Sequence, residues 1–394
     1  LLTPSSYFSD LFPAKTVFAP RTSMEDVVSV IDQSFRLDTL TGTTLVVMGE
    51  MPLICHRCVA TPPALEFFKA CGLPLPKEIR CYETEEEAVS LAIEAARRGD
   101  RIAYFYPPPA ALKKSPELLI PVPIYNRLND KANLGQLVDS RFLPRYELFA
   151  PDDLSGIGSF LPDSAIFVKG CRAGASGAGQ DVLFCPDPAS RGAITAEFVS
   201  SRPSGMSAIR VEEAVALRNC WCLSLGISES GIRYLGGATQ LFGEPGHQTG
   251  SRVDFSDPPP PSVVDLALGI AGRARELGYL GVVGFDLGVT SSDQPFVFDL
   301  NFRAASSTTQ VLLHESATRR IGGSVSQSWA KLVPGPLPDV IRRLEPFARS
   351  GHFVPFRLCE ATTASEGLCV ISGMLISGSV AGIESLEAGL NEAL

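Results

Sequence analysis

The sequence predicts an α/β plus α+β protein, in which a Rossmann-like N-terminal domain precedes two lobes built on antiparallel sheets. Before about residue 125, short apolar strands alternate with helices, as in a small parallel sheet. After residue 165, strands follow one another through polar turns, which is typical of antiparallel pairing. We therefore expect an N-terminal domain over residues 1–125, a first lobe over 126–205 and a second lobe over 206–394 that ends in an appended strand and helix.

Composition narrows the class of protein. A chain of 394 residues exceeds one typical core, which agrees with two or three domains. The net charge of -9 argues against nucleic acid as a partner, because a phosphate backbone calls for a basic face. The sequence has no apolar run of 18 residues and its first residues resemble no signal peptide, so we expect a cytoplasmic protein without a membrane partner. The composition leaves open whether the protein forms a homodimer.

The ten cysteines are scattered along the chain. Cys55 and Cys58 form a CxxC pair, but a zinc site would need a second pair at a suitable spacing, and there is none. Buried thiols in a reducing compartment and a redox dithiol both remain as interpretations.

The N-terminal domain shows a β-α-β-α-β pattern. Its expected elements are strand Thr43–Met48, helix Pro62–Cys71, strand Ile79–Tyr82, a helix over 84–98 and strand Arg101–Tyr106. Thr84 and Glu87 form a capping-box pattern at the start of the second helix. No GxGxxG motif follows the first strand, so the sequence does not predict a dinucleotide site here.

The first lobe carries two lysines and a glycine-rich segment. Lys131 precedes a helical segment that ends near residue 140, and Lys169 ends the strand AIFVK. The loop GCRAGASGAGQ follows at once. Because glycines lack a Cβ atom, such a loop can offer backbone N–H groups to phosphate oxygens. It is not a Walker A loop, and a hairpin loop without function is the alternative interpretation.

The second lobe begins with an antiparallel meander. Ile209–Glu213 reads IRVEE, and Trp221, Leu223 and Leu225 alternate with small or polar residues before a turn at 228–231. A polar loop over 243–250 contains His247. Two interpretations of this histidine remain: a surface residue without function, or a residue that contacts substrate. A helix follows the proline run 258–261, and Ser326–Leu332 has a helix-like pattern.

The stretch from Gly281 to Arg303 carries the strongest signal for function. It predicts two strands joined by a polar hairpin at Thr290–Gln294. Because side chains alternate along a strand, Asp286 lies on the face opposite its apolar neighbours, and Asp299, Asn301 and Arg303 share one face of the second strand. Phe298, Leu300 and Phe302 are expected on the apolar side.

Oxygen ligands at this density predict a magnesium site. Mg²⁺ takes one or two carboxylates and completes its shell with water and substrate phosphates. Arg303 cannot ligate a cation, but its guanidinium suits a phosphate or a carboxylate. A solvated polar strand face is the alternative interpretation.

The order of the candidate residues along the chain resembles that of the ATP-grasp superfamily. In sequence order these are Lys131, Lys169 with the Gly/Ser loop, the VEE of residues 211–213, Asp286 and the D-x-N-x-R of residues 299–303. The resemblance covers about residues 126–320 and is strongest to carboxylate–amine ligases similar to D-alanine–D-alanine ligases and stand-alone peptide ligases. It implies a two-lobed ATP-grasp fold, ATP and Mg²⁺ as cofactors, and small-molecule carboxylate and amine substrates.

The resemblance also implies residue roles. Lys131 and Lys169 would contact the ATP phosphates, with Lys169 also near the adenine. Arg303 would face the transferring phosphoryl group and the acyl intermediate, and Lys169 and Arg303 are the expected catalytic residues. Glu212, Glu213 and Val215 would form the edge that holds adenine. Residues expected to close over the phosphates are Gly174, Ser176, Gly177 and Gly179. Those expected to hold Mg²⁺ are Asp286, Asp299 and Asn301.

Two positions depart from the family pattern. Asn219 stands where the family usually places a ribose-binding Glu, which leaves the ribose contact open. Asp299 stands where Glu is more frequent, and its shorter side chain keeps the charge.

The resemblance predicts an ADP-forming ligase that makes an amide bond through an acyl phosphate. The chemistry requires two anions to approach, so cations must neutralise them, and water must be excluded from the acyl phosphate. Two alternatives remain at this point: a phosphotransferase of the same fold, and a nucleotide-binding regulatory protein without turnover.

Overall fold

The computed structural model describes residues 1–21, 34–172, 182–200, 205–360 and 367–394. These residues form a four-stranded parallel sheet, a four-stranded antiparallel sheet and an eight-stranded antiparallel sheet. The predicted combination of an α/β domain with two α+β lobes is confirmed.

The N-terminal domain is built on the parallel sheet, in the order β3-β2-β1-β4. Its elements are α1 (Phe8–Leu11), β1 (Thr16–Phe18), α2 (Ser34–Leu40), β2 (Leu53–His56), α3 (Pro62–Ala70), β3 (Ile79–Tyr82), α4 (Glu85–Arg97) and β4 (Arg101–Ala103). The predicted N-cap at Thr84 is confirmed, since its side chain accepts a bond from the N–H of Glu87. The second half of the predicted capping box differs, because the Glu87 carboxylate accepts from the N–H of Glu83. The predicted strand Thr43–Met48 is wrong. This run forms a buried 3₁₀ turn at Leu45–Val47, because a short apolar run indicates burial and not backbone conformation.

The first lobe is built on the four-stranded antiparallel sheet, in the order β5-β8-β6-β7. Its elements are α5 (Val122–Asn129), α6 (Leu134–Leu137), β5 (Tyr146–Phe149), β6 (Ile166–Cys171), β7 (Val182–Cys185), α7 (Arg191–Ser200) and β8 (Ala208–Glu213). One sheet face packs on α7 through Ile166, Val168 and Val211. The expected boundary at residue 205 falls before β8, although β8 pairs with β5 and β6 and so belongs to this sheet.

The second lobe is built on the eight-stranded sheet, in the order β13-β12-β9-β10-β11-β14-β16-β15. Its elements are β9 (Asn219–Ser228), β10 (Gly231–Glu244), β11 (His247–Asp254), α8 (Pro261–Glu276), β12 (Gly281–Val289), β13 (Pro295–Asn301), α9 (Thr308–Ile321), β14 (Val325–Pro334), α10 (Leu337–Arg349), β15 (Phe353–Glu360), β16 (Leu368–Ser377) and α11 (Val380–Ala393). The predicted loop over 243–250 is instead the tip of the β10–β11 hairpin and the first half of β11.

Two predictions about the C-terminal part need correction. Ser326–Leu332 is not helical but lies within β14, where backbone pairing with β11 and β16 on its two sides overrides the local pattern. The final strand and helix do form, as β16 and α11, but β16 lies between β14 and β15 and is therefore part of the large sheet, not an appended element.

The N-terminal domain packs against this C-terminal part of the large sheet through one shared core. Residues from α1, β1 and α3 lie in the same buried cluster as residues from β14, β15 and β16. Cys58 and Cys359 form a disulfide within this cluster, although the sequence predicted either buried thiols or a Cys55–Cys58 dithiol. Among the described residues, no helix is long and apolar enough to cross a bilayer.

Candidate active site

The two carboxylates predicted to bind metal lie side by side on β12 and β13. Asp286 and Asp299 are direct cross-strand partners, and Gly284 is the partner of Asn301. The strands take this orientation because Val283, Phe285 and Leu287 are fully buried against α8 on the other face. The predicted convergence of Asp286, Asp299 and Asn301 is therefore present in the geometry.

A β-bulge changes the second strand at the site. The register shifts after the Asp286–Asp299 pair, so that Leu287 faces Val297 and Phe298 is left without a direct partner. Val297 enters the buried core, whereas Phe298 is only half-buried. The prediction that Phe298 shares the apolar face with Leu300 and Phe302 is thus wrong. The bulge turns the Phe298 carbonyl oxygen toward the first lobe, where it accepts a bond of 3.3 Å from Lys169 Nζ.

The electrostatics of the carboxylate pair favour a cation. Burial, and then the neighbouring charge of Asp299, raise the pKa of Asp286 to about 7. Burial also opposes ionisation of Asp299, but Lys131 and Lys169 outweigh it and lower the pKa of Asp299. Oδ1 of Asp286 is buried and has no hydrogen-bond partner among the residues described. A buried, unsatisfied oxygen beside a second carboxylate fits the oxygen ligand set of Mg²⁺.

Lys131 reaches the metal-ligand candidates from the first lobe. It lies in a 3₁₀ turn, Lys131–Asn133, which begins after α5 and is capped by the Asp130 side chain. Its Nζ atom lies 3.1 Å from Asp299 Oδ2. A cation from one lobe thus meets a carboxylate from the other.

Lys169 lies on β6 and forms a buried ion pair with Glu212 of β8. Arg210, also on β8, donates from Nε to the second oxygen of Glu212 at 2.9 Å. Its guanidinium carbon lies 3.6 Å from the centroid of the Tyr146 ring. The first-lobe face toward the carboxylate pair therefore carries two cations held by one carboxylate.

The segment after β8 links the two antiparallel sheets. Glu213 forms a two-bond ion pair with exposed Arg145, at 2.9 Å for each bond. Val215 is half-buried in the link between β8 and β9. Asn219 begins β9, where its side-chain nitrogen donates to Asp257 at 3.0 Å and its oxygen accepts from the Cys220 N–H.

Arg303 follows β13 and faces an aromatic cavity of about 30 Å³ between the N-terminal domain and the second lobe. Its guanidinium carbon lies 5.4 Å from the centroid of the Tyr106 ring. Its positive charge also favours the ionised forms of Asp286 and Asp299. Aromatic residues lining the cavity include Phe8, Phe18, Phe105, Tyr106, Tyr125 and Phe302.

The residues predicted to close over the phosphates, Gly174, Ser176, Gly177 and Gly179, lie outside the described residues.

His247 is exposed at the β10–β11 hairpin. The tip of this hairpin approaches the first lobe, since a Cβ on Gly246 would lie 3.1 Å from the Phe167 ring. Gly246 has φ +80°, a conformation that favours glycine, so the tip depends on glycine both for its turn and for this approach.

Three further residues that sequence reasoning did not assign support the site. Arg210 is the first, because a charged residue in a strand pattern looks like a solvated position, yet its side chain is 1% exposed. Asn129 accepts a bond from the Phe302 N–H at 3.0 Å, and Tyr125 donates to the Phe105 carbonyl at 2.6 Å. These two α5 residues fix the end of β13 and the cavity wall.

The fold and site define an ATP-grasp enzyme. The family model for the L-aspartate–L-methionine ligase N-terminal domain matches residues 7–125, and the model for the ATP grasp of the same ligase matches residues 146–301. Together they match more than two thirds of the chain. The chain therefore belongs to the ATP-grasp superfamily and, within it, to the family that these models describe. It is an ATP-dependent, ADP-forming carboxylate–amine ligase.

Solved structures of other ATP-grasp enzymes share the fold. The N5-carboxyaminoimidazole synthetase of Staphylococcus aureus, in complex with ADP, superposes with a TM-score of 0.58 at 10% identity, over 90% of this chain and 95% of that one. The ATP complex of carboxyaminoimidazole ribonucleotide synthase from Aspergillus clavatus gives 0.59 at 11%, over 90% and 96%. The L-amino acid ligase of Bacillus licheniformis gives 0.50 at 12%, over 82% and 88%.

Proposed function

We propose that this ligase joins two L-amino acids, with an aspartate-like and a methionine-like amino acid as the substrate pair to test first. The family models that match the chain carry the names of these two amino acids. The observation that carries the proposal is the convergence of the Asp286–Asp299 pair with Lys131 and Lys169 across the two lobes. Such a mixed charge cluster suits phosphoryl transfer between anions.

Asp286, Asp299 and Asn301 would hold Mg²⁺. The unsatisfied oxygen of Asp286 and the mutual repulsion of the carboxylates support this assignment. When bound, the metal ion would neutralise charge that develops on the phosphate oxygens.

The nucleotide would bind between the two antiparallel sheets. Lys131 and Lys169 would contact its phosphates, and Arg303 would face the transferring phosphoryl group. Glu212, Glu213 and Val215 lie at the link between the sheets, where backbone groups would hold adenine. A ribose contact by Asn219 would have to replace one of the bonds that its amide already makes. The first lobe would span residues 126–213 and the second 214–394, behind an N-terminal domain of residues 1–125.

The reaction would then follow from positions and charges. A carboxylate oxygen of the first amino acid bonds to the γ-phosphorus of ATP, and the bond from that phosphorus to the bridging oxygen of ADP breaks. The amine nitrogen of the second amino acid next bonds to the activated carbonyl carbon, phosphate leaves, and the amine proton passes to water. Lys131, Lys169 and Arg303 orient the reacting anions and stabilise their charge, and no nucleophilic side chain is needed.

The aromatic cavity beside Arg303 supports an apolar side chain on one substrate. Aromatic rings pack well against a thioether, and a guanidinium beside the cavity suits the carboxylate of the same molecule. The cavity is narrow, so a methionine side chain would require the lining rings to move apart.

The formation of a homodimer stays a prediction.

The test is product formation from defined amino acid pairs. The protein is incubated with ATP, Mg²⁺, L-aspartate and L-methionine, and the dipeptide mass and released phosphate are measured together. The expected result is phosphate release that requires both amino acids, with one dipeptide formed per phosphate. ADP formation that needs only one amino acid, with a phosphorylated product and with neither dipeptide nor free phosphate, would favour the phosphotransferase alternative.

A further inference from the structure

Arg210 is a buried cation to which no role has been assigned. It lies in the middle of β8, directly opposite Lys169 of β6, and its side chain is 1% exposed. Its Nε atom is bonded to Glu212, and its guanidinium stacks on Tyr146. Neither of its two terminal nitrogens has a hydrogen-bond partner within the described part of the chain. Burying a guanidinium in this way is costly, which indicates that its charge serves a purpose here.

Glu212 carries one negative charge between two buried cations. One oxygen pairs with Lys169 and the other with Arg210, and Glu212 is itself only 1% exposed. If Lys169 were its only partner, moving the lysine onto a phosphate would leave a buried carboxylate unpaired. Breaking a buried pair in this way is strongly unfavourable. A second cation on the same carboxylate removes that obstacle.

We infer that Arg210 is a positioning residue that frees Lys169 to bind the nucleotide. In the structure, Glu212 pairs with both cations. On nucleotide binding, Lys169 Nζ moves from Glu212 to the phosphates, and Arg210 stays as the counter-ion of Glu212. The inference rests on the proposed contact of Lys169 with ATP. Lys169 Nζ already lies 3.3 Å from the Phe298 carbonyl oxygen of the second lobe, so the side chain extends toward the cleft between the lobes.

A double-mutant cycle on Arg210 and Glu212 tests the inference. Arg210→Met should weaken binding of the ATP analogue with a β,γ-imido bridge about tenfold or more, because Lys169 then becomes the sole counter-ion of Glu212. Adding Glu212→Gln to Arg210→Met should restore most of the lost affinity, because the carboxylate that retains Lys169 is gone. Calorimetric binding gives the affinities, and steady-state kinetics should show the effect in KM for ATP more than in kcat.

Two further variants separate positioning from loss of structure. Arg210→Lys keeps the charge beside Glu212 and should recover most of the affinity. Arg191→Met is the matched control, since Arg191 is another buried arginine of the first lobe that bonds backbone carbonyls, including those of Phe160 and Leu161. It should lower thermal stability, and adding Glu212→Gln to it should not improve nucleotide affinity.

Each contrary outcome would overturn a specific claim. Arg210→Met with parental affinity, or a double variant that binds more weakly than Arg210→Met alone, would overturn the role of Arg210. If Arg210→Met does not fold, the comparison is made with Arg210→Gln and its double variant with Glu212→Gln. Lys169→Ala is measured beside them: an unchanged nucleotide affinity there would overturn the proposed role of Lys169 and, with it, the inference. Loss of affinity in Lys169→Ala but not in Arg210→Met would overturn the inference alone.

Discussion

The Nζ atom of Lys131 lies 3.1 Å from Oδ2 of Asp299, and this pair joins the first lobe to the carboxylate cluster of the second. The lysine belongs to the turn after α5, and the aspartate to β13. Lys131 therefore stands where a metal ion would compete with it for the same oxygen. Nucleotide phosphates would resolve that competition, because they give the lysine another anionic partner.

Replacing Lys131 should change metal and nucleotide binding in opposite directions. In Lys131→Met, Asp299 loses its competing cation, so Mn²⁺ used as a probe without nucleotide should bind more tightly, by on the order of tenfold. ATP should bind more weakly, because a phosphate partner is lost. Paramagnetic relaxation measures Mn²⁺ and calorimetry measures ATP. Lys331→Met is the control, since half-buried Lys331 lies on β14, which four strands separate from β13, and donates to Asn391 of α11. A loss of both affinities in Lys131→Met would show that Lys131 does not compete with the metal.

His314 should make stability depend on pH. It is 2% exposed, its Nδ1 lies 2.8 Å from Ser326 Oγ, and burial lowers its pKa to about 4. The folded protein keeps the ring neutral, whereas the unfolded chain binds a proton below about pH 6.5. The contribution of His314 is thus fully present above pH 6.5 and is lost as pH falls toward 4, by up to about 3 kcal/mol.

Urea unfolding between pH 4 and 7 measures this effect. In His314→Gln the slope of unfolding free energy against pH should be shallower than in the parent protein. His352→Gln is the matched control, because His352 lies outside the His314–Ser326 contact and bonds the Ile376 carbonyl instead. Equal slopes in the parent and in His314→Gln would contradict the assignment.

The Cys58–Cys359 disulfide should stabilise the contact between the N-terminal domain and the large sheet. It joins residues separated by 301 positions, and a cross-link of this kind typically contributes about 2–4 kcal/mol. A reductant should lower the melting temperature of the parent protein, whereas Cys359→Ser should melt at the lower temperature with or without reductant. Peptide mapping without reductant should recover the cross-linked peptides. Free thiols at both positions would contradict the pairing.

Local patterns in the sequence predicted the main features of the site. Alternation along β12 and β13 places Asp286, Asp299 and Asn301 on one face, and the hairpin between the strands has the expected position. Lys169 and Glu212 of the VEE segment also lie in the same site, on paired strands, although β6 continues to Cys171 and does not end at Lys169 as predicted. These features were predictable because each depends on strand periodicity and on residue type.

Features that depend on tertiary contacts were not predictable. The bulge at Phe298 shifts Val297 into the core. The alternation of apolar and polar residues in a sequence does not show at which residue a β-bulge shifts the strand register. The burial of Arg210 depends on Tyr146 and Glu212, which a single strand pattern does not reveal. Ser326–Leu332 became a strand because two neighbouring strands pair with it, a long-range effect that outweighs local propensity.

The effect of Asp299→Asn on turnover tests the central claim most directly. The change would remove one charge from the proposed metal ligands and leaves the buried face of β13 unaltered. ADP-forming turnover with saturating Mg²⁺, ATP and both amino acids should fall by roughly 100-fold or more in a variant that keeps its fold. Asp293→Asn is the matched control in the same hairpin, where Asp293 is exposed and pairs with Arg218; its turnover should equal that of the parent. Near-parental turnover of a folded Asp299→Asn variant would contradict the assignment of Asp299 to the metal site.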